Sequence, residues 1–90
     1  MELKRGQVVR SKAGRDQGSF LAVLSADPPW AVVADGKQRP LERPKRKKLM
    51  HLSPTLRVLP EEALATNRKL RAALREAGGQ QENTPYDAEV

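Results

Sequence analysis

The apolar residues of this chain come in short runs. The two longest, Phe20 to Leu24 and Trp30 to Ala34, have five residues each, whereas a membrane span needs about 20. Gly18 stands before the first run, Pro28-Pro29 separates the two, and Asp35-Gly36 follows the second. Proline cannot donate to a strand ladder, and glycine admits the backbone angles of tight turns. A chain punctuated this way builds short strands joined closely.

Gln7 to Ser11 reads as the first strand, and Ser11 to Ser19 as a loop with two glycines four residues apart. Phe20 to Ser25 reads as the second strand, and its unbroken apolar character predicts burial near both faces. Trp30 to Ala34 is the third. Asp35-Gly36 suits a type I′ hairpin turn, which predicts a return strand from Lys37 to Glu42, bent or held at an edge by Pro40 and Pro44. Lys47 to Leu52 alternates as a fifth short strand. Five such strands predict a small, strongly bent antiparallel barrel. Its expected core is Val8, Leu21, Val23, Val32, Leu41, Leu49 and Leu52, with Trp30 plugging one end.

The period changes after Ser53. Leu64, Leu70, Ala73, Leu74 and Ala77 fall at helical spacing, and Pro60-Glu61-Glu62 places proline and acids where a helix start favours them. Thr66-Asn67 leaves two readings open: one helix from Pro60, or a second helix from Asn67 to Ala77 with Thr66 as its N-cap. Gly78-Gly79 is expected to end the element. The plan is therefore mostly β: a barrel over 1–58, a helical segment over 59–78 and a polar, disordered tail over 79–90.

Charge narrows the function. The 90 residues carry 17 Lys and Arg against 11 Asp and Glu, a net charge of +6. Residues 1–52 hold 12 basic and 5 acidic residues, and residues 53–90 hold 5 and 6. Lys37, Arg39, Arg43, Lys45, Arg46, Lys47 and Lys48 crowd into twelve positions, diluted only by Glu42. Mutual repulsion there is relieved by a counter-charge, and phosphate is the usual one. The plainer alternative is a solvated basic face that aids solubility. The absence of Cys and the single His exclude a disulfide scaffold, a thiolate zinc site, a cysteine nucleophile and a His-rich metal centre. No signal-like apolar stretch follows Met1 to Gly6, so a soluble, cytoplasmic protein is expected.

The glycine loop carries a resemblance. Gly6-Gln7-Val8-Val9-Arg10-Ser11 leads into Lys12-Ala13-Gly14-Arg15-Asp16-Gln17-Gly18, then Phe20 and Val23. This stretch resembles a KOW motif, a strand, glycine-containing loop and strand found in ribosomal proteins and transcription elongation factors. Ala34-Asp35-Gly36-Lys37, Pro44-Lys45-Arg46-Lys47-Lys48 and His51-Leu52 extend the resemblance to small bacterial KOW-domain RNA-binding proteins. Those are similar in turn to KOW-type large-subunit ribosomal proteins of archaea and eukaryotes. The match spans about residues 3–58, with a weaker echo in Thr66 to Leu74. It implies an SH3-like barrel and RNA binding, on the ribosome, through the loop around Lys12, Gly14, Arg15 and Gly18. Gln17 departs from the pattern, standing where such loops often carry a basic residue, which weakens the charge at the tip.

The residues agree with that placement on physical grounds. Glycines let backbone N–H groups reach phosphate oxygens, and Lys12 and Arg15 supply charge; Gly14 and Gly18 also serve to shape a tight turn. On an extended strand Lys45, Arg46, Lys47 and Lys48 alternate sides, so about two face one surface. Such contacts give affinity and salt dependence without reading sequence. Phe20 and Trp30 lie in apolar runs and are expected in the core, which leaves shape and backbone recognition of structured RNA. His51 is expected to be a strand residue rather than a general base.

The expectation is thus a non-catalytic RNA-binding protein with a role in translation, binding ribosomal RNA of the large subunit. Its contacts are Lys12, Gly14, Arg15, Gly18, Lys37, Arg39, Lys45, Arg46, Lys47 and Lys48. No cofactor, metal or membrane partner is expected, and the free protein is expected to be a monomer. The alternative is a KOW protein-interaction module contacting RNA polymerase or a ribosomal protein, with the helix from Pro60 to Ala77 as adaptor.

Overall fold

The computed structural model describes residues 2–82. It is mostly β: strands β1 (Gln7–Ser11), β2 (Phe20–Asp27), β3 (Trp30–Ala34), β4 (Lys45–Lys48) and β5 (Leu52–Val58), then helix α1 (Asn67–Glu82). Short 3-10 turns occupy Leu49–His51 and Glu61–Leu64. The strands form one open antiparallel sheet in the order β4-β3-β2-β1-β5. The two edge strands follow each other in the chain through the first 3-10 turn.

Side chains alternate across a strand, yet Leu21, Ala22 and Val23 are all buried. The reason is that both faces of the sheet are covered. Val9, Leu21, Val23, Ala31, Val33 and Leu52 make one cluster on one face. Val8, Ala22 and Ala34 lie on the other face, beneath Leu59, Leu64, Leu70, Leu74 and Ala77. Registers Val8↔Ala22, Ala22↔Ala34 and Val23↔Val33 fix this assignment. The two-sided burial of the second strand is as expected.

The hairpin after β3 is not. Lys37 to Glu42 is no strand. Asp35 Oδ1 accepts from the backbone N–H groups of Lys37 and Arg39, both at 2.8 Å, and the Asp35 N–H donates to the Arg39 carbonyl at 2.9 Å. A type I′ turn needs φ > 0 at both central residues; Gly36 has φ 78°, but no residue other than glycine has positive φ among the described residues. Pro40 and Pro44 have no N–H to pair with β3. The Leu41 N–H goes instead to Asn67 Oδ1 at 2.8 Å, at the start of α1. Pairing resumes at Lys45, so the basic block itself is the strand, with Trp30↔Lys48 and Val32↔Arg46 in register. The fifth strand correspondingly starts at Leu52 and crosses Pro54. Thr55 mends the ladder there, its hydroxyl donating to the Val8 carbonyl at 2.7 Å.

Register also corrects the core. Val33 pairs directly with Val23 and shares its face, so Val33 is buried where Val32 was expected. Val32, Leu41, Leu49 and Trp30 are only partly buried. Trp30 plugs nothing: it is only partly buried, and strand alternation puts it on the face opposite Ala31 and Val33.

Of the two readings after residue 59, the structure has the second. A 3-10 turn follows Pro60, and α1 starts after Thr66, whose Oγ1 accepts the Lys69 N–H at 3.1 Å. Gly78-Gly79 does not end α1, which runs on to Glu82. Gly78 faces the sheet, and a methyl there would meet the Phe20 ring at 3.1 Å; glycine lets the helix lie close. The expected tail thus loses 79–82 to the helix, and its remainder, 83–90, lies outside the described residues. Among the described residues no helix is long and apolar enough to cross a membrane.

Candidate nucleic-acid interface

The loop between β1 and β2 is built on backbone bonds. The Ser11 N–H donates to the Ser19 carbonyl at 2.9 Å and the Gly18 N–H to the Ser11 carbonyl at 2.8 Å. Gly14 and Gly18 have φ of 89° and 91°, the left-handed region that disfavours side chains. Nothing stands within 4 Å of where a Gly18 Cβ would be, so the backbone is open to an approaching group. Lys12, Gly14 and Arg15 are exposed on the same loop.

One residue of the basic block holds this loop rather than facing solvent. Lys47 is 6% exposed. Its Nζ donates to Asp16 Oδ1 and to the Ala13 carbonyl, both at 2.9 Å. The Ser11 hydroxyl donates to the same Asp16 oxygen at 2.8 Å. Burial pushes the Asp16 carboxyl up, but the bonds from Lys47 and Ser11 outweigh it and hold the carboxyl below the usual carboxylate range. Lys47 is therefore corrected from a phosphate contact to a tether: its ammonium is buried and ion-paired to Asp16 rather than turned outward. The alternation of an extended strand decides this, because Lys47 lies opposite Ala31 on the inward face.

Arg46 and Lys48 point the other way. The Arg46 guanidinium carbon lies 4.3 Å from the Trp30 ring centroid, and Lys48 Nζ lies 5.6 Å from it. A cation over an aromatic face is stabilised by the ring quadrupole and keeps its outer side free. Lys45, Arg46, Lys47 and Lys48 all border a cleft of about 320 Å³ with Gly14, Trp30 and His51. The Lys12 N–H donates to the His51 carbonyl at 2.8 Å, closing the loop onto this cleft. Lys12 and Gly18 also border a shallow groove with Arg10 and Gln17.

Lys37 and Arg39 do not join Lys45, Arg46 and Lys48. They sit on the Asp35 turn, where both are exposed. Lys37 faces α1 across a groove of about 570 Å³ that contains Gly18, Phe20, Arg71 and Arg75. Trp30 and these arginines lie outside the contacts expected from the sequence. The apolar neighbours of Trp30 point to the core in the sequence alone. The arginines were hidden by averaging, since residues 53–90 sum to a net charge of −1; the signal was their spacing, with Arg71 and Arg75 four apart. No protein-family model matches the chain, and no curated protein matches it.

Proposed function

We propose that this protein is a non-catalytic RNA-binding module of the KOW type. Its sheet curls as an SH3-like barrel and docks on structured RNA, ribosomal RNA of the large subunit, in the cytoplasm. One observation carries the reading: the glycine loop and the basic strand β4, 26 or more residues apart in sequence, share one cleft with Arg46 and Lys48 turned outward. The two edge strands joined by a 3-10 turn support the barrel. Lys12, Gly14, Arg15, Gly18, Lys45, Arg46 and Lys48 then meet phosphates, and no side chain reads base sequence. The test is binding to deproteinised large-subunit ribosomal RNA over a range of salt. Replacing Lys45, Arg46 and Lys48 by Gln is expected to weaken binding and flatten the salt slope by about 2 to 3. Unchanged affinity and slope would sink the assignment of this surface.

A second reading, as a protein-interaction module bound to RNA polymerase or a ribosomal protein, is favoured by β5. On that strand Leu56 is fully exposed and Val58 is 46% exposed, and Met50 in the turn before it is 68% exposed, an unusual apolar set at a sheet edge. The apolar stripe of the helix lies on the sheet, so in this reading the exposed residues of β5 would meet the partner instead. A partner that stays bound after ribonuclease treatment and is lost in Leu56→Asp would favour this second reading.

A further inference from the structure

We infer that helix α1 carries a second RNA-contact surface, an arginine stripe of Arg68, Arg71 and Arg75 that meets phosphates of the same RNA as the loop. The inference rests on the RNA reading above and extends it to α1, which lies beyond residues 3–58, the main stretch of the KOW resemblance.

Positions 68, 71 and 75 fall on one helix face. The opposite face holds Leu70, Leu74 and Ala77, which are 0%, 6% and 1% exposed. Packing on the sheet therefore turns all three arginines to solvent. No acid occurs from Ala63 to Arg75, and among the described residues none of the three is ion-paired. The ion pairs lie elsewhere, at Arg5–Glu61, Lys47–Asp16 and Arg57–Glu76. Seven residues of helix separate the ends of the stripe, about 10 Å. Three like charges over that distance repel one another unless a polyanion lies along them.

The stripe is also joined to the loop. Gly36 is pressed against α1 so closely that a methyl there would stand 2.5 Å from the Asn67 carbonyl oxygen and 3.0 Å from Arg71 Cγ. That contact holds the Lys37 turn and the helix as one surface. The groove between them runs from Arg71 and Arg75 past Lys37 to Gly18. Asp35 is the acid in this groove, and its Oδ1 already accepts from the Lys37 and Arg39 N–H groups. An anionic membrane is the poorer fit, because binding in its interface needs an apolar helix face to insert, and that face is buried.

The experiment measures binding of the full chain to deproteinised large-subunit ribosomal RNA at several salt concentrations. It compares the wild type with Arg68→Gln/Arg71→Gln/Arg75→Gln, the matching Lys triple, and Lys45→Gln/Arg46→Gln/Lys48→Gln. Thermal melts check folding, which substitution of exposed residues should leave intact. The expected result is a loss of about tenfold or more in the helix Gln triple, with a salt slope lower by about 2 to 3, and retention of most affinity in the Lys triple. A helix Gln triple that binds like the wild type, while the β4 triple is weakened, overturns the stripe and leaves the RNA reading standing. A Lys triple as weak as the Gln triple overturns a charge-based contact. A wild type without salt-dependent RNA binding overturns both, and binding of the stripe to an acidic protein instead would appear as a ribonuclease-resistant complex lost in the Gln triple.

Discussion

At the scale of single residues, the Asp16–Lys47 pair does most to shape the site. Both side chains are largely buried, at 12% and 6% exposure. Removing one partner of a buried pair leaves an uncompensated charge, which costs about 3–5 kcal/mol. Asp16→Ala is therefore expected to lower the stability read by chemical denaturation by an amount of that order, and Asp16→Leu/Lys47→Met to recover part of it. The pair also sets a pH dependence. The Asp16 carboxyl is held below its unfolded value, so its stabilisation is complete above about pH 4 and is lost as pH falls through the folded value. Melting temperature should fall in that acidic window in the wild type and fall less in Asp16→Asn. Trp30 is the other telling residue. It bears no charge, yet it positions the Arg46 guanidinium, so Trp30→Ala should weaken RNA binding several-fold, a cation–π contact being worth about 0.5–1 kcal/mol. Fluorescence anisotropy with a structured RNA would check it; unchanged affinity would remove Trp30 from the interface.

At the scale of elements, α1 is the piece whose start and end have different causes. Its start is local: Thr66 caps the Lys69 N–H, and Thr66→Ala should cost about 1 kcal/mol. Its continuation past Gly78 is not local. Two consecutive glycines weaken a helix by about 1 kcal/mol each relative to alanine, but docking against Phe20 holds the turn in place. Gly78→Leu should therefore destabilise the protein by about 1–3 kcal/mol, although leucine is the better helix former, because the added side chain meets the Phe20 ring. A melting temperature raised by Gly78→Leu would show that propensity outweighs the close contact. The turn after β3 follows the same logic. Asp35-Gly36 marks a turn in the sequence, but whether the chain returns as a strand is decided by the prolines and by Asn67, 26 residues beyond Leu41.

At the scale of the whole molecule, the exposed cations form a surface that turns a corner, from the Trp30 cleft over the glycine loop to the face of α1. Proteins that hold RNA through phosphates release counterions, so affinity falls steeply with salt. Sedimentation of cell lysate on a sucrose gradient at low and high salt is the check. The protein is expected with the large subunit at low salt and at the top of the gradient at high salt. Its absence from ribosomal fractions at both salt concentrations would redirect the assignment to another RNA or to the protein partner suggested by Leu56.

By itself, the sequence determined where the chain must turn and which stretches are extended. Gly14, Gly18, Pro28-Pro29 and Gly36 break it through backbone constraints that operate within a few residues. The β1 and β3 strands, the cap at Thr66 and the glycine loop were legible for that reason. Tertiary structure decided which face each strand presents and which cations stay free. A shift of one residue in pairing exchanges the faces of a strand, and the irregularity after Val23 cannot be read from composition. It also decided that Lys47 is buried while Arg46 and Lys48 are outside, since that depends on Ala31 lying opposite and on Asp16 waiting across the loop. The arginines of α1 joined the surface only because the apolar side of the helix had a sheet to cover.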